Sequence, residues 1–131
     1  MPAFCFIDEV AEVVQNERIT AFFTLKGDEE FLEDHFKGFP VMPGVLMLEA
    51  LVQAASRLLA ASKAEPDPRF RLVKVEEVRF GRFVKPGSRV QIDAKILKSE
   101  NGQVTLEGKL DLPGSVKGRT LTANIVLEAV A

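Results

Sequence analysis

The sequence predicts an α+β domain of one long helix and about six strands, and three observations carry that prediction. From Pro43 to roughly Lys63 the chain has no Gly or Pro beyond Gly44, and apolar side chains fall on nearly every helical face. A helix apolar all round is a buried helix, and a sheet is the available wrapper in a chain of 131 residues. The segments on either side alternate apolar and polar residues with the period of a strand. Asn101-Gly102, between two such segments, is a strong hairpin signal because both residues tolerate a left-handed backbone.

In chain order, Phe4 to Gln15 and Arg18 to Leu25 read as two strands joined by a tight turn at Asn16-Glu17. Lys26 to Asp34 carries Asp28, Glu29, Glu30, Glu33 and Asp34, a solvated acidic run leading to the helix. Beyond the helix, Glu65-Pro66-Asp67-Pro68 breaks the pattern. Four strands are then expected: Phe70 to Phe80, Arg89 to Ser99, Gln103 to Leu112 and Arg119 to Val130. Lys85-Pro86-Gly87 and Pro113-Gly114 mark the remaining turns, and the helix lies between the second and third strands. No internal repeat interrupts this order, so residues 1–131 read as one domain with enough apolar material (47%) for a core.

Composition narrows the function classes. The net charge is −2, the isoelectric point is about 5.5, and Trp and Tyr are absent, which does not supply the basic face with stacking platforms that nucleic-acid binding needs. No run of 18 uncharged apolar residues is present, and Met1-Pro2-Ala3-Phe4-Cys5 lacks the basic and apolar regions of a signal peptide, so neither a membrane span nor export is expected. Cys5 is the single cysteine, which rules out an intrachain disulfide and leaves no thiol pair for a metal; a reducing cytoplasm is the expected setting. Charge is unevenly spread: residues 1–49 hold ten acidic and three basic side chains, residues 50–131 nine acidic and fourteen basic. The densest basic stretch runs through Arg69, Arg71, Lys74, Arg79, Arg82, Lys85 and Arg89, which is either the solvated face of a strand or a docking patch for an acidic partner.

Chemistry concentrates between Asp34 and Gln53. His35 is the only histidine, on a loop punctuated by Gly38, Pro40, Pro43 and Gly44. Pro43 suits a first helical turn, where a missing N–H costs nothing, and Gly44 lets a ligand approach the free amides. Those amides and the helix dipole favour developing negative charge at the same spot. Glu49 follows one and a half turns later among Val45, Leu46, Met47, Leu48, Ala50 and Leu51. Ionised carboxylates are rarely enclosed without a partner, so either Glu49 faces a cleft or partner or the helix is open on that side; apolar surroundings would raise its pKa and let it donate a proton, while His35 could accept one near neutral pH. Gln53, four residues on, extends the polar stripe. A lone loop histidine is more often structural than catalytic, and spacing alone does not bring His35 and Glu49 together.

His35-Phe36-x-Gly38-x-Pro40-Val41-Met42-Pro43-Gly44-Val45-Leu46, with Glu49 and Gln53 at their intervals, resembles the signature of the 3-hydroxyacyl-[acyl-carrier-protein] dehydratases of the FabA/FabZ type. That resemblance implies a hotdog fold, in which an antiparallel sheet wraps the helix. It also implies His35 and Glu49 as the catalytic pair, drawn from different subunits of a homodimer that can assemble further as a trimer of dimers. Phe36, Gly44, Val45 and Gln53 become substrate-binding positions, and Arg79, Arg82 and Lys85 a docking site for acyl carrier protein. No metal or other cofactor is implied beyond the phosphopantetheine that carries the substrate. Two positions depart from the pattern, since Asp34 and Lys37 stand where the family commonly has Gly and Pro. The family's usual His-Arg-Tyr-Pro-Phe start and its tunnel-mouth Tyr are also missing, which leaves room for polyketide or aryl-polyene synthesis beside fatty-acid synthesis. Glu at position 49, where the isomerising branch has Asp, matches the dehydratase-only branch. A hotdog acyl thioesterase and a non-catalytic acyl-carrier-binding subunit are the alternatives.

Overall fold

The computed structural model describes residues 7–25, 44–62, 69–82, 84, 85, 87–113 and 118–130. Its elements are β1 (Glu9–Val14), β2 (Arg18–Thr24), α1 (Gly44–Ser62), β3 (Arg69–Phe80), β4 (Arg89–Glu100), β5 (Gln103–Asp111) and β6 (Arg119–Val130). The strands form one six-stranded sheet in the order β1-β2-β4-β5-β6-β3, and every neighbouring pair is antiparallel. This is the α+β arrangement the sequence predicts, with element ends displaced by a residue or two except in β1, which begins later than Phe4.

Turn chemistry acts where expected. Asn101 and Gly102 have φ of 54° and 76°, the paired left-handed geometry of a tight hairpin turn, and Glu100 pairs with Gln103 across it. Asn16 turns the first hairpin with φ of 63°. Gly87 (φ 89°) lies in the connection before β4, where its N–H donates to the Leu25 carbonyl.

Alternation along the strands selects the face that meets the helix. Ile19, Ala21 and Phe23 of β2, Val90, Ile92 and Ala94 of β4, Leu106 and Leu110 of β5, and Leu121, Ala123, Ile125 and Leu127 of β6 are all buried. Register then places Ile19, Ala94, Gly108 and Ala123 side by side, so a row of mostly small residues crosses the sheet. Flanking rows hold large residues, among them Ile92, Leu110 and Leu121. The helix settles on that row. Leu51, fully buried, lies so close to Gly108 that a Cβ there would stand 2.2 to 2.8 Å from its Cδ and Cγ atoms. Gly108→Ala is therefore expected to destabilise the fold by about 1–3 kcal/mol through overpacking. Urea unfolding checks this, and Gly108→Ala should cost little once Leu51→Ala has opened the space.

One expectation is corrected. The helix is not enclosed on all sides: Met47, Ala50, Leu51, Ala54, Ala55, Leu58 and Leu59 are buried against the sheet, whereas Val45 is 71% exposed and Glu49 is exposed. A single sheet covers one side of a helix, so the opposite apolar side chains need another surface. Strand β3 presents a similar excess, because it is a 12-residue edge strand with Leu72, Val73, Val78 and Phe80 exposed. Glu128 on β6 ties this edge inward, accepting hydrogen bonds from Gln103 of β5 (2.9 Å) and Arg71 of β3 (3.1 Å). The Gln103 amide first, then the Arg71 guanidinium, hold its carboxyl below the ordinary Glu range. A carboxyl depressed on folding contributes stability that is complete above its unfolded titration and lost as pH falls through the folded one.

Candidate active site

The first turn of α1 opens at Gly44, whose amide belongs to the set left without helical acceptors. Gly44 is half-buried, and the reason is specific: the ring of Phe80, at the end of β3, lies against it. A Cβ on Gly44 would come within 2.7 Å of Cε1 and 2.9 Å of Cζ of that ring. Phe80 is nevertheless 56% exposed, so one side of the ring covers Gly44 and the rest faces outward. The local sequence does not announce this contact, since Phe80 reads simply as the last residue of a strand.

Glu49 and Gln53 stand on the uncovered side of the same helix. Their i, i+4 spacing lets the Gln53 Nε2 donate to Glu49 Oε2 at 3.0 Å. Glu49 is exposed within this chain: of its apolar neighbours in sequence, Met47, Ala50 and Leu51 are buried against the sheet, whereas Leu46 and Leu48 are half-buried and Val45 is exposed. That hydrogen bond holds the carboxyl group through Oε2.

His35 and Phe36 lie outside the described residues, as do Asp34 and Lys37. The three basic residues expected to dock a carrier are described: Arg79 is the penultimate residue of β3, and Arg82 and Lys85 follow on the connection to β4, all exposed. Other members of the basic stretch form ion pairs. Arg71 pairs with Glu128 at 3.1 Å, Lys74 with Glu76 at 3.5 Å, and Arg89 with Glu9 at 2.6 Å while lying 4.4 Å over the Phe22 ring. These ion pairs break up the run along β3, and Arg79 and Arg82 flank Phe80 and Gly81 in sequence.

A shallow polar depression on the outer sheet face, bordered by Arg18, Asp93, Lys95, Glu107 and Lys109, is separate from this region. Its charges alternate across the strands, with Asp93 opposite Lys109 and Lys95 opposite Glu107, as a solvated sheet face requires. Among the described residues no three His, Cys, Asp or Glu side chains group so as to hold a metal ion.

A family model described as a FabA-like domain matches residues 1–123. The chain is 35% identical over 127 residues to a 3-hydroxyacyl-[acyl-carrier-protein] dehydratase FabZ of Teredinibacter turnerae, covering 95% of this chain and 84% of that one. It is 36% identical over 115 residues to the protein of the same name from Nitratidesulfovibrio vulgaris, covering 86% and 75%. Among solved structures, the dehydratase heterocomplex ApeI:P from Xenorhabdus doucetiae superposes with a TM-score of 0.78 at 19% identity, over 96% of this chain and 83% of that one. The F36A mutant of the fluoroacetyl-CoA-specific thioesterase FlK superposes with a TM-score of 0.73 at 15% identity, over 91% and 89%. These two likenesses concern the hotdog fold alone.

Proposed function

The chain belongs to the FabA-like family, and from that membership we propose that it dehydrates a (3R)-3-hydroxyacyl thioester carried by acyl carrier protein, giving the trans-2-enoyl thioester, in fatty-acid or related biosynthesis. The observation that carries this reading is the pairing of an accessible helix N-terminus at Gly44 with a carboxyl group one and a half turns away, oriented by Gln53. Relatives at 35–36% identity named as dehydratases support dehydration over thioester hydrolysis, which only neighbours sharing the fold suggest.

The residues divide the work as follows. His35 removes a proton from the carbon α to the thioester carbonyl. Negative charge develops on the carbonyl oxygen, and the Gly44 amide, aided by the helix dipole, stabilises it. Glu49, as the acid, gives a proton to the 3-hydroxyl, the C–O bond breaks, and water leaves as the double bond forms. Phe36 and Val45 line the acyl thioester, and Gln53 holds the acid. Arg79, Arg82 and Lys85 attract the acidic carrier, whose phosphopantetheine brings the substrate. The chemistry as written calls on no metal or redox cofactor, and a reducing cytoplasm is its proposed setting.

The catalytic unit is a homodimer in which His35 and Glu49 of one site come from different subunits. The exposed Leu72, Val73 and Val78 of the β3 edge and the uncovered helix flank support this assembly, because a long unpaired edge invites pairing and a partner would enclose Glu49. Sedimentation is expected to find a dimer at micromolar concentration; a stable monomer would remove the shared site. The function itself is tested by incubation with 3-hydroxyacyl carrier-protein thioesters of several chain lengths. Loss of water seen by mass is the expected result, while release of free thiol would identify a thioesterase.

A further inference from the structure

We propose that Phe80 is a substrate-contacting residue that positions the acyl thioester at the N-terminus of α1, and that position 44 is glycine in order to seat its ring. The proposal rests on the dehydratase reading for the identity of the ligand, and on β-sheet register for the placement of the residue.

Strand β3 should not bring Phe80 to the helix by simple alternation. Val75 pairs with Ile125, which is buried on the helix side, so uninterrupted alternation from Val75 would turn Glu77 and Arg79 inward and Phe80 outward. The register shifts between Glu76 and Arg79, where Glu76 pairs with Asn124 but Arg79 pairs with Thr122. An extra residue is accommodated there, and Phe80 comes to lie opposite Leu121, which is fully buried on the helix side. Glu77 carries the irregularity in a left-handed conformation, φ 53°, and its carboxylate accepts a hydrogen bond from Asn124 Nδ2 at 3.0 Å. A left-handed backbone at a residue other than glycine is unfavourable and persists only where its surroundings hold it. Beyond the bulge the strand end is pinned to β6, with Gly81 N–H donating to the Thr120 carbonyl and Arg82 N–H to the Arg119 carbonyl, both at 2.9 Å. Gly81 admits that approach, since a Cβ there would stand 2.3 Å from the Arg119 oxygen.

These features exchange a cation for an aromatic ring at one place, the entrance to α1. Core packing does not account for the exchange, because Phe80 remains 56% exposed. A flat apolar surface beside a backbone amide suits a thioester, whose sulfur and flanking methylenes are apolar while its oxygen seeks a donor. Arg79 and Arg82, on either side in sequence, leave the carrier-docking cluster continuous with this wall.

The test measures Phe80→Ala, Phe80→Leu, Gly44→Ala and the double variant Gly44→Ala/Phe80→Ala for turnover of a 3-hydroxyacyl carrier-protein thioester, melting temperature and sedimentation. Phe80→Ala should lower kcat/KM roughly ten- to hundredfold, the scale of a misplaced reacting group, and Phe80→Leu should recover part of it. Both should remain dimers with little change in melting temperature. Gly44→Ala should be impaired, because its methyl displaces the ring, and the double variant should be no worse than Phe80→Ala alone. Unchanged kcat/KM in Phe80→Ala, additive losses in the double variant, or dissociation into monomers would overturn the proposal. If wild-type protein left the hydroxyacyl chain intact, the dehydratase reading would fail by itself. Calorimetric binding of butyryl-pantetheine then decides the role of Phe80, with roughly tenfold weaker binding in Phe80→Ala supporting it and equal binding overturning it.

Discussion

His35→Ala and Glu49→Gln are each expected to lower kcat by roughly 10²–10⁴, the range for loss of a positioned base or acid, with little change in unfolding free energy. Glu49 sits on the uncovered side of α1 and contributes nothing to the packed face, so its exchange for an amide leaves the core intact. Gln also retains an oxygen that can accept the Gln53 hydrogen bond while lacking a proton to give the departing hydroxyl. The loss should therefore appear in kcat, with KM nearly constant. Steady-state kinetics on a carrier-bound 3-hydroxyacyl thioester, with urea unfolding of the same preparations, makes the measurement. Near-normal turnover in either variant would take that residue out of the mechanism.

Mixing the two inactive variants should bring activity back. If each site draws His35 from one chain and Glu49 from its partner, a heterodimer of His35→Ala and Glu49→Gln subunits has one site with both groups and one with neither. Random exchange of equal amounts makes about half the dimers heterodimers, so roughly a quarter of wild-type activity should return. A pair housed within a single chain would leave every site short of one group, and mixing would then restore nothing. Subunit exchange is followed in parallel with differently tagged chains, which separates an intrachain pair from a dimer that does not exchange.

Much of the fold was readable because it is written in short-range patterns. The helix carries no breaker from Val45 to Ser62, and the left-handed pair at Asn101-Gly102 sets the β4–β5 hairpin by itself. Alternation in β2, β4, β5 and β6 correctly marks the residues that meet the helix. The Glu49–Gln53 contact was equally accessible, since four residues make one helical turn. One expectation went astray for an identifiable reason. Counting apolar residues around α1 suggested complete burial, but the number of apolar side chains does not say which of them the same chain can cover. Ion pairs of the stretch from Arg69 to Arg89 were not legible for a similar reason, since Glu128 and Glu9 lie far away in sequence.

Sequence by itself determined the element order, the turn positions, the helix and its polar stripe, and the residues that mark the family. All of these depend on dihedral preference and hydrophobic period, which act within a few residues. Tertiary structure alone decided that β3 joins the sheet beside β6, that a bulge at Glu77 turns Phe80 toward Gly44, and that Leu51 fits over Gly108. It also left Glu49 on an open flank. Each of these follows from register between strands distant in the chain, where a shift of one residue exchanges the two faces of a strand. No local pattern records such a shift, because its free energy comes from contacts that exist only after the strands have met.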